Sequence, residues 1–173
     1  MTPQDFLAES FQGSKPTTHS LWLNDDINAT AKTILKHAYP TMRIRYWREG
    51  QRTAWIMNEI GKTKPITIGV SIAEQGIERM RILAFRESRG GEVRMPFFTR
   101  QFKGQSLLPD GHALSEHVDG ISGATLSVRA VKNTARFALY LHNLVVENRA
   151  EPKVGSKVES KKQSMTVNDQ SDD

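Results

Sequence analysis

Near residue 120 the chain carries the string Asp119-Gly120-Ile121-Ser122-Gly123-Ala124-Thr125, in which a hydroxyl follows a pair of very small residues. Downstream, Val128, Val131, Ala135, Ala138, Leu139 and Leu141 recur at helical spacing opposite Arg129, Lys132, Asn133 and Arg136, so the pattern predicts an amphipathic helix from Gly123 or Ala124. Thr125 then falls in the first turn, among backbone N–H groups that have no partner inside the helix. Those donors, with the positive end of the helix dipole, favour a phosphate there. Gly123 and Ala124 let a bulky group lie against the backbone and leave the hydroxyl reachable by another enzyme. An outside catalyst is needed, because a threonine hydroxyl is a poor nucleophile without a base and Gly120, Ile121, Leu126 and Ser127 supply none.

Taken alone, Ser122 to Thr125 could be no more than an N-cap, for which Ser122 is a fair residue. Asp119 ahead of it and the long helix behind it exceed what a cap requires. Gly120-Ile121-Ser122-Gly123-Ala124 also misses a Gly-x-Ser-x-Gly nucleophile elbow by one residue. That elbow needs an acid and a histidine after the serine, and the one later histidine, His142, lies too far along the same helix to reach back. Elsewhere, His112 and His117 lie near one another in a loop without a carboxylate at a fitting offset, so no metal site is read. No paired carboxylates for acid–base work stand out, and no catalytic residue is assigned.

The elements that must hold this string follow from periodicity. Residues 1–20, with Gly13 and Pro16, read as an irregular or briefly helical arm. Asn24-Asp25-Asp26 then precedes Ile27, Ala31, Ile34, Leu35 and Ala38, an apolar stripe for a helix that stops before Pro40. From Thr41 the period changes to alternation, and Glu49-Gly50 turns the chain into Thr53 to Ile60, a hairpin. Pro65 opens a β-rich run to Ile72, and Glu74-Gln75-Gly76 leads into Ile77 to Glu87. Connections this short predict a meander of about four antiparallel strands. Ser88 to Pro96 reads as a loop, Phe97 to Phe102 as a short helix, and Lys103 to Val118 as irregular with a strand near its end. The expected fold class is α+β, a twisted antiparallel sheet packed against two main helices, with one domain over 21–146 and a disordered polar tail over 147–173.

Composition limits the chemistry. The 173 residues include no cysteine, which removes disulfides, iron–sulfur ligation and c-type haem attachment, so redox work would need an organic cofactor. The net charge of +5 hides an uneven distribution: the residues before Glu147 hold 19 Lys/Arg against 13 Asp/Glu. The arginines are spread over strand-like segments rather than clustered with aromatics, so nucleic acid is not read as a partner. Phe137 to Val146, the most apolar stretch, is too short to span a bilayer, and Met1 to Asp5 shows no signal-peptide pattern.

The string resembles the Asp-x-x-Ser-Gly-Ala-Thr signature of the FMN-binding domain family. Its relatives include the flavin-carrying C subunit of the sodium-pumping NADH:quinone reductase and the G subunit of the Rnf electron-transport complex. The likeness extends over roughly Pro65 to Val146. Phe85-Arg86-Glu87-Ser88-Arg89-Gly90-Gly91-Glu92 stands where relatives carry a Glu-Thr-Pro-Gly-Leu-Gly-like loop near the flavin, with Arg89 and Gly91 in place of Pro and Leu. Gly76-Ile77 and Ile82-Leu83 look like the strand before that loop, and the segment before Pro65 reads as a subfamily addition.

The resemblance implies FMN bound covalently through its phosphate to Thr125, with Ser122, Gly123, Ala124, Asp119 and Leu126 around it and Glu87 and Gly90 in the loop. It further implies attachment by a magnesium-dependent flavin transferase that uses FAD as donor, an unidentified redox partner protein, and a location in the periplasm or otherwise outside the cytoplasm. Leu126 is a natural wall for the ring, and Trp55, Phe97 and Phe98 are weaker ones, since aromatics at strand spacing are more often core. Positive charge at the ring's N1 edge would stabilise reduced flavin, and Arg89 or Lys132 could provide it, although surface charge is the commoner role. An electron carrier is therefore expected. The alternatives are a flavin-dependent reductase of a small molecule and a basic interaction module without flavin.

Overall fold

Thr2 and Asp5 close a reciprocal cap at the start of the chain. The Asp5 N–H donates to Thr2 Oγ1 at 3.0 Å and the Thr2 N–H to the Asp5 carboxylate at 3.2 Å, with Pro3 next in line. This cap begins α1 (Pro3–Phe11) in the computed structural model, which describes residues 1–74 and 76–147. Residues 1–20, expected as an arm, are instead built into the fold. Phe6 and Phe11 are buried in a cluster with Ala54, and α1 is followed by a strand, β1 (Thr17–Trp22). Phe6 seats against Gly69 so closely that a Cβ at residue 69 would lie 2.9 Å from the ring. Arg81 Nη2 donates to the Glu9 carboxylate at 2.9 Å beside this contact.

α2 (Asp25–Leu35) begins where its acidic cap predicts, with the Ile27 N–H donating to Asn24 Oδ1 at 2.8 Å. Its apolar stripe, Ile27, Ala31, Ile34 and Leu35, is buried. The alternating segments form β2 (Arg43–Glu49) and β3 (Arg52–Ile60), β4 (Pro65–Ala73) and β5 (Gly76–Ala84) continue the meander, and the expected short helix is the single turn α3 (Pro96–Thr99) running into a 3-10 turn over Arg100–Phe102. All pairings are antiparallel in the order β1-β2-β3-β4-β5, so β1 adds a fifth, edge strand to the expected four. Alternation sends Ala54 to the α1 side, while Trp55, Ile68, Val70, Ile72 and Met80 join the main core, which also holds the apolar faces of α2 and α4 (Thr125–Val146). The fold is an α+β antiparallel sheet with its long helices on one face and α1 on the other.

α4 is fixed to the sheet near its far end by a buried polar relay. Trp55 Nε1 donates to Thr53 Oγ1 at 2.8 Å, and Thr53 Oγ1 lies 2.7 Å from His142 Nδ1. Because the Thr53 oxygen accepts from the indole, its proton goes to Nδ1, leaving Nε2–H to donate to the Glu74 carbonyl. Burial pushes the His142 imidazole below its ordinary range, consistent with this neutral tautomer.

The segment Lys103–Val118 forms a single bridge, Leu107 to Leu114, and no strand, contrary to expectation. Side chains hold it instead: buried Gln105 donates to the carbonyls of Gln101 and Glu116 and accepts from the Glu116 N–H at 2.8 Å. Among the described residues no helix is long and apolar enough to cross a membrane. The expected tail lies, apart from Glu147, outside the described residues, as does Gln75.

Candidate functional site

The string Asp119–Thr125 is a shaped turn. Gln101 grips the backbone of Asp119 from both sides, Oε1 accepting the N–H at 2.7 Å and Nε2 donating to the carbonyl at 3.2 Å. The Asp119 carboxylate points outward, 84% exposed and 3.2 Å from His117 Nε2. The Ala124 N–H then donates to the Ile121 carbonyl at 3.0 Å, closing a turn through Ser122 and Gly123. Gly123 takes φ +81°, which a glycine adopts without strain.

α4 therefore starts with Ala124 at its N-cap, and no side chain caps it; Ser122 does not serve in that role. The first bond inside the helix runs from the Val128 N–H to the Ala124 carbonyl, so the amides of Thr125, Leu126 and Ser127 precede it without intrahelical partners. Thr125 is exposed, and among the described residues no side chain engages its hydroxyl. Leu126 is also exposed, at 39%, while Ala124 and Ser127 turn inward.

The loop expected near the flavin meets this helix start. Gly90, at φ +87°, approaches so closely that an added Cβ would lie 2.9 Å from Ser127 Oγ and 3.4 Å from Ala124 Cβ. Glu87 is nearby with its carboxylate already committed. It accepts the N–H groups of Lys62, Thr63 and Lys64 at 2.5, 2.7 and 3.0 Å, and the amides of Lys64 first, then of Thr63, hold it below the usual carboxylate range. Its part is to fasten the β3–β4 turn, and Gly61 in that turn faces both Glu87 and Ser127. Between loop and string lies an open groove of about 690 Å³, with Ser122 and Gly123 on one side and Arg89, Gly91, Arg94 and Met95 on the other.

Other expected contacts fall elsewhere. Trp55 and Phe98 are core residues, at 0% and 1% exposure, whereas Phe97 is exposed. Lys132 lines a separate depression of about 350 Å³ with Arg136 and residues 113–118. Gln101, Ser127, Arg94 and Met95 shape the site without having been singled out in the sequence, because their roles depend on contacts that no spacing rule encodes. Among the described residues, no group of three or more His, Asp or Glu is placed to hold a metal.

These residues suit an anionic group with a flat apolar partner: three free amides, an unengaged hydroxyl, and open space above Gly123, where a Cβ would meet nothing within 4 Å. Residues 61–140 match the family model described as FMN-binding domain, a span that includes the Glu87 turn, the Gly90 loop and the Thr125 string. Over these residues the chain carries an FMN-binding domain. Among solved structures it is similar to NqrC of Shewanella oneidensis, with a TM-score of 0.56 and 14% identity over 79% of this chain and 84% of that one. At that identity the likeness is one of fold. No curated protein matches the chain significantly. The FMN-binding domain match begins at residue 61, so α1, β1, α2, β2 and β3 all precede the matched span.

Proposed function

We propose that this FMN-binding domain is an electron carrier whose FMN is joined covalently, phosphate to Thr125 Oγ1, and that it works outside the cytoplasm. The observation that carries the reading is the Thr125 hydroxyl: exposed, unengaged, and seated at an uncapped helix start two residues from the groove wall at Gly123. The attachment is made by a separate magnesium-dependent transferase with FAD as donor. Thr125 Oγ1 forms a bond to the phosphorus of the FMN half, the pyrophosphate bond breaks, AMP leaves, and the hydroxyl proton passes to a base of the transferase.

Bound FMN would supply one- and two-electron redox chemistry. The chain's own residues do the holding. The amides of Thr125, Leu126 and Ser127 face the retained phosphodiester charge, Gly123 and Ala124 allow close approach, Leu126 offers an apolar wall, and Gly90 sets the distance between loop and helix. A covalent tether keeps the cofactor where a free nucleotide would be lost by dilution. Among the described residues no second chemical site accompanies it, which favours a relay between a donor and an acceptor protein.

Mass spectrometry of protein co-expressed with and without a flavin transferase tests this. The expected result is an FMN-sized increment that survives denaturation, depends on the transferase, and disappears in Thr125→Val with unchanged circular dichroism. An increment that persists in Thr125→Val overturns the attachment site. Steady turnover of a small molecule by the loaded protein would make it a reductase instead of a carrier.

A further inference from the structure

The groove beside Thr125 contains an exposed guanidinium oriented by two neighbours. Arg94 Nε donates to the Gly91 carbonyl at 3.2 Å, and Arg94 Cζ lies over the Phe85 ring, 5.6 Å from its centroid. Glycine at 91 leaves room for it: a Cβ there would stand 3.0 Å from Arg94 Nη2 and a larger side chain would occupy its place. In the loop pattern that this chain resembles, the position is leucine, so the substitution removes an apolar side chain and admits a cation in its place. Among the described residues, nothing holds Nη1 or Nη2, and Arg94 lines the groove. Arg89 stands on the same wall, and Glu92 is the one carboxylate lining the groove.

We propose that Arg94, with Arg89 as a weaker second, sets the reduction potential of the flavin; this rests on the reading that FMN on Thr125 occupies this groove. Two-electron reduction of the isoalloxazine at neutral pH takes up one proton and leaves one negative charge on its pyrimidine edge. A cation at the groove wall stabilises that anionic form more than the neutral oxidised ring, and so raises the midpoint potential. Arginine keeps its charge at every working pH. Its anchoring on Phe85 and Gly91 means that little reorganisation is needed when the charge appears.

The test is a dye-referenced redox titration of FMN-loaded protein, with each variant's loading verified by mass. Arg94→Met is expected to disfavour the reduced form at least tenfold, about 30 mV for a two-electron couple. Arg94→Lys recovers most of that loss, because it restores charge, and Glu92→Gln shifts the potential upward. Gly91→Leu keeps the arginine but takes its seat, and is expected to lower the potential as well. An Arg94→Met effect below tenfold overturns the proposal, as does an Arg94→Lys potential as low as that of Arg94→Met, or a Gly91→Leu potential equal to wild type. An unmodified wild-type protein would end the attachment reading and this inference together. A loaded protein with a potential indifferent to residue 94 ends this inference alone.

Discussion

α1 and α2 begin on side chains that complete the backbone's hydrogen bonding, whereas α4 begins on a methyl group. Thr2 and Asp5 cap one another at α1 and Asn24 caps α2, but Ala124 leaves the first amides of α4 open. A missing cap costs about 1 kcal/mol, a loss that a short helix feels more than a long one. α4 is 22 residues long, most of it buried, with His142 locked to β3 at its far end. The fold therefore spends its security at the buried end of this helix and leaves donors available at the exposed end, where the proposed attachment would use them.

The strongest way to break this contrast is at Gly90, where loop and helix start touch. Gly90→Ala puts a Cβ 2.9 Å from Ser127 Oγ on a backbone at φ +87°, and a cost of about 2–4 kcal/mol is expected in urea denaturation. The same variant should lose FMN loading, because the groove walls are pushed apart. Loading and stability at wild-type levels would show that the close approach has no consequence.

If the far end compensates for the open start, His142 carries the next largest effect. Its folded pKa is depressed by burial, so its contribution to stability is complete above the ordinary value of 6.5 and is lost as pH falls from there toward the folded pKa. His112, also depressed by burial, acts in the same direction. His37, raised first by its bond to the Ala38 carbonyl and then by Glu59, acts oppositely, losing its contribution as pH rises through its folded pKa. Thermal melts of wild type and His142→Gln should therefore diverge most at neutral pH and converge as the pH falls below 6.5. The variant costs about 2 kcal/mol at neutral pH through the unpaired Thr53 and Glu74 groups. A gap between the melts that stays constant with pH would rule the linkage out.

The smallest effects sharpen the comparison directly. Asn24→Ala removes a working cap and should cost about 1 kcal/mol, while Ser122→Ala removes a hydroxyl that caps nothing and should stay within about 0.5 kcal/mol. Equal losses in paired chemical denaturations would mean that Ser122 caps α4 after all.

How much of this was readable in advance follows from what each element relies on. α2, the β2–β3 hairpin and α4 announce themselves by period, because each presents one apolar face to the core. α1 and β1 do not: Phe6 and Phe11 bury deeply among polar neighbours, and Thr17–Trp22 is an edge strand with most of its side chains outside the core. The Thr2-Pro3-Gln4-Asp5 capping box was nevertheless a usable signal for α1. In the site, the Thr125 string is local and legible. The Glu87 grip on the 62–64 amides and the seat of Arg94 arise from through-space contacts, so the sequence alone suggested flavin proximity for Glu87 and offered nothing for Arg94.

Every strand in this sheet pairs only with its neighbours in sequence, so the meander can assemble through short loop closures. α4 comes after all of them along the chain and supplies much of the apolar surface that seals the core against β3 and β4. Thr125 thus rides on an element synthesised after the whole sheet. Under the proposed attachment, a modifying enzyme that requires both groove walls would meet its substrate only once α4 has docked on the sheet, and the prosthetic group would be a stamp of completed assembly of this domain.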